Sequence, residues 1–254
     1  MIQFAGRVVL VTGASRGIGA ATAIRFAEAG ARGIVVHYHT RQKEARAVAD
    51  EIEQAGGESM LWGADLADAA AVEMLFSKSL ARFGGIDIVV ANAGIWPSEP
   101  CPLDQVSPER WAHTLRVNLD GMYYVCREAG KILREDGALV TVSSTAGQRG
   151  EAGHADYAAS KGAVISLTKS LAVELASRGI RVNCVAPGWV DTEMSASALQ
   201  ADLATRQSVL HTIPLGRIAS PEDVAGPILF LASSLARHIT GEVLNVNGGS
   251  VLCG

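Results

Sequence analysis

Apolar residues run along this chain in short unbroken blocks. Between the blocks lie longer stretches in which they recur every three or four positions. The blocks fall at 7–12, 34–38, 59–62, 86–91, 138–143, 181–186 and 242–246. They are rich in Val, Ile and Leu and lack strict alternation with polar residues, which is how strands covered on both faces read. The periodic stretches, at 18–29, 41–55, 69–83, 108–133, 156–178 and 221–234, read as helices. Gly30, Gly56, Gly84 and Gly179 stand at helix ends, and Ser220-Pro221-Glu222-Asp223 makes a helix start. Strand and helix alternating from end to end predict an α/β fold. It is expected to be a single doubly wound domain over residues 1–254, with a seven-stranded parallel sheet and helices on both faces. One stretch breaks the rhythm: residues 188–217 carry small and polar side chains, Thr192, Ser195, Ser197 and Ser208 among them, and are expected to form a lid.

Composition narrows the function classes. With 48% hydrophobic and 19% charged residues, the 254-residue chain has the material for a large core, which excludes intrinsic disorder. Lys and Arg number 22 against 26 Asp and Glu, a formal charge of −4, with no basic cluster. That leaves no electrostatic footprint for nucleic acid or an acidic membrane surface. The apolar blocks are far shorter than the roughly 20 residues of a membrane-spanning helix. The first residues, Met1 to Arg7, lack the pattern of a leader, so a cytoplasmic location is expected. Cys101, Cys126, Cys184 and Cys253 are far apart and read as free thiols, and no His, Cys or Asp cluster has the spacing of a metal site.

The candidate chemistry begins at the first strand–helix junction, Thr12-Gly13-Ala14-Ser15-Arg16-Gly17-Ile18-Gly19. Glycines serve where backbone turns tightly and must approach a pyrophosphate without Cβ in the way; the following helix aims free N–H groups at the phosphates. The spacing is GxxxGxG, not the GxGxxG of the general Rossmann fingerprint; a tight strand–helix connection is the bland reading, and a place at the first turn of a parallel series favours a dinucleotide-binding one. Further on, Tyr157 and Lys161 stand four residues apart on a predicted helix and so share one face. A free phenol has a pKa near 10, and an adjacent ammonium is expected to lower it toward working pH for acid–base chemistry.

On TGxxxGxG and YxxxK, the chain resembles the short-chain dehydrogenases/reductases over essentially its whole length. The resemblance implies site residues in the same order. Asp65, with Leu66, matches the adenine-contacting segment. Asn92-Ala93-Gly94 matches the end of an NNAG motif whose first Asn is Ala91 here. Asn118 matches the residue that opens a helix and helps hold a water leading to Lys161. Pro187, Gly188, Val190 and Thr192 match the loop beside a nicotinamide. Ser144 lies thirteen residues before Tyr157, the family spacing, which selects it over Ser143 as the partner of the substrate oxygen. Lys161 is also implied to bond the nicotinamide ribose.

The second strand decides between cofactors. It runs His37-Tyr38-His39-Thr40-Arg41, with no acid to hold a ribose 2′-hydroxyl. Arg16, Thr40 and Arg41 are expected to converge on a 2′-phosphate beside His37 and Tyr38, favouring NADP(H) over NAD(H). A carboxylate substituted at position 37 is expected to shift preference toward NADH. For the substrate end, Trp96, Gln148, His154 and Trp189 are candidate pocket walls, with Met194 and Leu199 of the lid. His211 reads as a loop histidine, and Asp191 and Glu193 as solvated.

Within the family, the overall pattern is nearest the β-ketoacyl-[acyl carrier protein] reductases, implying an acyl-thioester or other small ketone substrate. An acyl carrier protein then becomes a candidate partner. Docking in that group uses basic residues; Arg178 matches one, whereas the other position reads Arg134-Glu135. The resemblance also implies a homotetramer built on 108–133, 156–178 and the last strand. Two other readings stand: an NAD(P)-dependent alcohol, sugar or polyol dehydrogenase, and a non-catalytic dinucleotide-binding regulator. The intact Asn118, Ser144, Tyr157 and Lys161 weigh against the regulator.

Overall fold

The seven apolar blocks become seven strands. The structure is a computed structural model and describes residues 2–199 and 203–252. The strands are β1 (Val8–Val11), β2 (Gly33–Tyr38), β3 (Glu58–Gly63), β4 (Ile86–Ala91), β5 (Leu133–Val142), β6 (Arg181–Pro187) and β7 (Val243–Val246). All pair in parallel, in the order β3-β2-β1-β4-β5-β6-β7. Parallel neighbours need long crossovers, and helices supply them. In chain order they are α1 (Gly17–Glu28), α2 (Gln42–Gln54), α3 (Ala69–Phe83), α4 (Pro108–Leu115), α5 (Gly121–Ile132), α6 (Thr145–Arg149), α7 (Ala155–Glu174), α8 (Glu193–Leu199), α9 (Leu203–His211) and α10 (Pro221–Ala232).

Alternate strand positions feed two cores. Val9, Val11, Ile34, Val36 and Val90 point to the side covered by α1, α2 and α10. Val8, Leu10, Val35, Val89 and Leu139 point to the other, against α3, α5 and α7. Both faces are dry, which is why the strand sequences show no alternation. Local chemistry sets the helix ends. The Asp68 carboxylate accepts from the Ala70 amide at 2.9 Å to start α3, and Gly84, at φ 73°, closes it. Ser220 and Asp223 form a capping box ahead of α10. The chain leaves β1 outward to β3 and then returns to β4 on the opposite side. The crevice at that reversal, beyond the carboxyl ends of the strands, is where such sheets hold ligands.

Three elements differ from the sequence reading. The predicted helix over 108–133 is interrupted by a wide turn at Arg116–Asp120 that joins α4 to α5. Strand β5 begins five residues earlier than the 138 expected, but Arg134 to Gly137 bulge out between the pairs Ile86–Leu133 and Ile88–Ala138. The region 188–217 contains α8 and α9; residues 200–202 within it lie outside the described residues. So do Met1, Cys253 and Gly254. Cys101, Cys126 and Cys184 are free, and burial pushes the Cys126 thiol up to about 12, leaving it unreactive. Among the described residues no helix is long and apolar enough to cross a membrane, and no group of three or more His, Cys, Asp or Glu is placed to hold a metal.

Candidate active site

The glycine loop is built by what it packs against. A Cβ at Gly13, whose φ is +64°, would lie 2.9 Å from the Cα of Ala93. One at Gly19 would lie 2.2 Å from the Gly13 carbonyl oxygen and 2.7 Å from Asn92 Nδ2. The loop therefore folds flat onto the segment after β4. Asn92 ties the two together: its Nδ2 donates to Thr12 O at 2.9 Å, and its backbone N–H donates to Thr12 Oγ1, also at 2.9 Å. The amide head of Asn92 thus braces the loop, while Gly19 lies beneath it and does not border the cavity. Helix α1 starts at Gly17 with no side-chain cap, leaving its first N–H groups open toward the crevice.

Beyond that loop lies a cavity of about 650 Å³. Gly13, Ser15, Arg16, Gly17 and Ile18 border it from the first turn; Thr40, Arg41, Asp65 and Leu66 border it from β2 and β3. Ala93 and Gly94 with Asn92, then Pro187, Gly188, Val190 and Thr192, complete the long wall. His37 and Tyr38 are not on it. His37 is buried under the glycine loop: its Nδ1 accepts from the Gly13 amide at 3.1 Å, and Nε2 meets Ala64 O at 3.1 Å. The loop folds back over the strand end and takes the space that the sequence reading gave to a ribose. Tyr38 turns its ring toward Gly63. His39, one residue past the strand, borders the cavity instead. A carboxylate at 37 would therefore sit beneath the loop rather than beside a 2′ position.

Arg16 and Arg41 do converge on one anion, and the protein supplies it. Both guanidiniums bond the same oxygen, Oε2 of Glu193 at the start of α8, Arg41 at 3.2 Å. Glu193 is thus exposed, as the sequence reading has it, and is also an ion-pair partner of both arginines.

At the other end of the cavity Ser144, Tyr157 and Lys161 come together. Ser143 and Ser144 have separate tasks. The buried Ser143 hydroxyl donates to Lys161 O at 2.7 Å. Ser144 is hydrogen-bonded to the Tyr157 phenol and also caps α6, accepting from the Ala146 amide at 3.1 Å. Lys161 lies with its Nζ 5.9 Å from the Tyr157 ring centroid and donates to Val142 O at 3.0 Å. Burial pulls the ammonium down to about 8 and pushes the Tyr157 phenol up to about 12; the Ser144 bond opposes the latter shift. The expected lowering of the phenol is not what this geometry gives, because burial outweighs the Ser144 bond and the Glu151 carboxylate adds to the rise. At neutral pH Tyr157 therefore holds its proton.

Asn118 sits in the wide turn before α5, which presents it inward. Its Oδ1 accepts from the Ile95 amide at 2.8 Å and its Nδ2 donates to Ile95 O at 2.9 Å. It is fully buried, contacts Ser160 and does not border the cavity, so it fixes the loop after β4. Gly94 stands between it and Lys161: a Cβ there would lie 3.0 Å from Asn118 Oδ1 and 3.3 Å from Lys161 Nζ.

Trp96 and Trp189 both border the substrate end, their rings 6.0 Å apart and near perpendicular. His154 does not border it; it is buried behind Trp96, with the rings stacked at 4.8 Å. Gln148 is directed away and donates to Asn245 Oδ1 at 2.6 Å. The polar group that does border this end is Glu151. It is bonded by the Trp96 side chain and lies 3.6 Å from His154 Nδ1; burial holds its carboxyl above the ordinary carboxylate range.

Comparison with known proteins decides what this arrangement belongs to. A family model described as enoyl-(acyl carrier protein) reductase matches residues 13–250. The 3-oxoacyl-[acyl-carrier-protein] reductase of Synechocystis sp. is 40% identical over 255 residues, covering 99% of this chain and 100% of that protein. The chain belongs to the short-chain dehydrogenase/reductase family. The 3beta-hydroxysteroid dehydrogenase 1 of Eggerthella lenta is also 40% identical, over 97% of this chain and 94% of its own length. A solved short-chain dehydrogenase/reductase of Brucella melitensis, described as a glucose/ribitol dehydrogenase, superposes with a TM-score of 0.92 at 35% identity and covers 99% of each chain. As a member of the family, this protein is an oxidoreductase acting on CH–OH groups.

In this short-chain dehydrogenase/reductase the sequence reading missed His39, Glu151 and Glu193. Glu193 takes its place from Arg16 and Arg41, both distant in the chain, and Glu151 in part from Trp96. The double task of Ser144 has a measurable consequence. Ser144→Ala removes both the phenol's partner and the cap of α6, so it is expected to lower turnover and also to cost about 1 kcal/mol of stability. Ser144→Thr should restore the stability and less of the turnover. Paired thermal melts and rate measurements check this; a Ser144→Ala protein of unchanged stability would remove the capping role.

Proposed function

We propose that this protein is an NADP(H)-dependent carbonyl reductase, with 3-oxoacyl thioesters as its first substrate class. The carrying observation is a proton-bearing Tyr157, bonded to Ser144 above a buried Lys161, in one cavity with Arg16 and Arg41. The site fits a dinucleotide. Gly13 and Gly19 admit no Cβ, α1 opens its first N–H groups toward the crevice, and two arginines meet on one anion position. When bound there, the nicotinamide supplies the hydride.

The chain's own residues handle the oxygen and the proton. The Ser144 and Tyr157 hydroxyls hold the substrate carbonyl oxygen, and Tyr157 gives that oxygen its proton as charge develops. The buried ammonium of Lys161 stabilises the phenolate left behind. Asn118, through Ile95, keeps the loop after β4 in register with Lys161. Residues 188–217 act as a lid whose start, through Thr192 and Met194, forms one cavity wall. The protein acts in the cytoplasm as one domain per chain and assembles as a homotetramer; exposed Tyr123 on α5 and Val173 on α7 lie on the helices assigned to that contact.

A second reading, a dehydrogenase of polar alcohols, is favoured by Glu151. A carboxyl bonded by Trp96 at the cavity wall suits a hydroxyl-bearing substrate better than an alkyl chain. The carrier-protein surface supports the same reading. Arg178 donates to the carbonyls of Gly130 and Leu133, and the exposed Glu135 follows Arg134 in the chain. The test is a panel of acetoacetyl thioesters, small ketones and polyols, each followed by nicotinamide absorbance with NADPH and with NADH. Fastest turnover of acetoacetyl thioester with NADPH supports the first reading; turnover of polyols alone supports the second.

A further inference from the structure

We infer that Glu193 is a cofactor-discriminating residue: an internal carboxylate held where Arg16 and Arg41 meet, which a 2′-phosphate must displace and a 2′-hydroxyl leaves in place. The inference rests on the proposed use of a nicotinamide dinucleotide.

The two arginines come from different elements. Arg16 precedes α1 and Arg41 precedes α2, yet both reach Oε2 of Glu193. The second nitrogen of Arg41 is already engaged by Glu44, at 3.0 Å. One nitrogen of each guanidinium thus meets the other at a single position, which Glu193 fills from the lid. Glu193 is well placed to stay there. The first turn of α8 is anchored by Ser195, whose hydroxyl accepts from the Thr192 amide at 3.2 Å and donates to Val190 O. Thr192 in turn lies against Gly17, 3.3 Å from where a Cβ there would sit. The lid's first residues therefore rest on the glycine loop, with the carboxylate above the arginines.

One carboxylate carries a single negative charge, and a phosphate monoester close to two at neutral pH. A phosphate arriving at this position competes with Glu193 for the same donors and, until it leaves, is repelled by it. A dinucleotide without the phosphate meets no such competition, and the Glu193 bridge then keeps the arginines neutralised and the lid start fastened over the cofactor. The same residue therefore acts in opposite directions on the two cofactors. All three side chains are partly exposed, so the effect is moderate.

The test is equilibrium binding, independent of turnover, on the full-length protein and on Glu193→Gln. The ligands are NADPH, NADH, and the fragments adenosine 2′,5′-bisphosphate and 5′-AMP. Glu193→Gln is expected to tighten NADPH and adenosine 2′,5′-bisphosphate about three- to tenfold. NADH should weaken slightly or stay as it was, and 5′-AMP should not change. If Glu193→Gln leaves NADPH unchanged, weakens it, or shifts both dinucleotides by the same factor, the inference is overturned while the cofactor reading stands. If the unaltered protein binds NADPH no more tightly than NADH, and the bisphosphate no more tightly than 5′-AMP, the NADP assignment fails and the inference with it.

Discussion

Tyr157→Phe is expected to lower carbonyl reduction on the order of 10²–10⁴-fold while the protein stays folded and binds cofactor. The ring is retained, so the packing of α7 against α6 survives and only one hydroxyl is lost. That hydroxyl is the proton source: burial pushes it up to about 12, so nearly every molecule holds the proton at neutral pH. Ser144 alone cannot replace it, because a serine hydroxyl polarises an oxygen without giving up its proton. The two groups act on one oxygen, so the double variant Tyr157→Phe/Ser144→Ala should be far less damaged than the product of the single effects. Lys161→Ala is expected to harm both turnover and cofactor affinity, in keeping with its two assigned tasks. Rates of the unaltered protein, the three single variants and the double variant with NADPH and an acetoacetyl thioester, with cofactor binding measured alongside, check this. A Tyr157→Phe protein reducing ketones at near the original rate would remove the tyrosine from the chemistry.

Acidification is expected to unfasten the glycine loop through His37. Nδ1 accepts from the Gly13 amide, so the folded ring is neutral and carries its proton on Nε2, facing Ala64 O. Burial, the largest cause, lowers its pKa from 6.5 to about 4. Unfolded, the ring takes a proton below about 6.5; folded, it does so only near 4. Between those values the unfolded chain holds the extra proton. Stability therefore rises with pH through that window, is fully present above it, and is lost on the way down to pH 4. A shift of this size corresponds to about 3 kcal/mol. His37→Gln keeps an acceptor near Gly13 but does not titrate, so its stability should be flatter between pH 6.5 and 4. Denaturant unfolding of both proteins across that range isolates the difference from the carboxylates, which titrate in each. Parallel curves would remove His37 as the cause. NADPH affinity should hold through most of that window and decline only as the pH nears 4, where the folded ring itself takes a proton.

How far the sequence could be read depends on whether a signal is local. Buried parallel strands leave blocks such as Val8-Val9-Leu10-Val11, and these are visible without any partner. The start of β5 is hidden, because Arg134-Glu135-Asp136-Gly137 bulge from the ladder and read as a turn. The break between α4 and α5 is hidden for another reason: apolar periodicity continues through Arg116–Asp120, while the bonds Asn118 makes from the wide turn go to Ile95, distant in the chain. Tyr157 and Lys161 announce themselves by spacing along one helix. The choice between Ser143 and Ser144 rests on the resemblance in sequence, and in the structure on which hydroxyl Lys161 O already engages. His37 was assigned a place beside the ribose because it ends a strand, but the loop that covers it is a tertiary feature. Glu193 looks solvated in sequence because one of its partners lies 177 residues away.

The most direct test of carbonyl reduction by this protein is the stoichiometry of one reaction. Purified protein, NADPH and an acetoacetyl thioester are mixed, and the loss of NADPH absorbance is compared with the 3-hydroxyacyl product found by mass spectrometry. One 3-hydroxyacyl thioester formed per NADPH consumed is the predicted result. NADPH left unconsumed by this thioester and by the simple ketones, or consumed without a hydroxyl product, would contradict it.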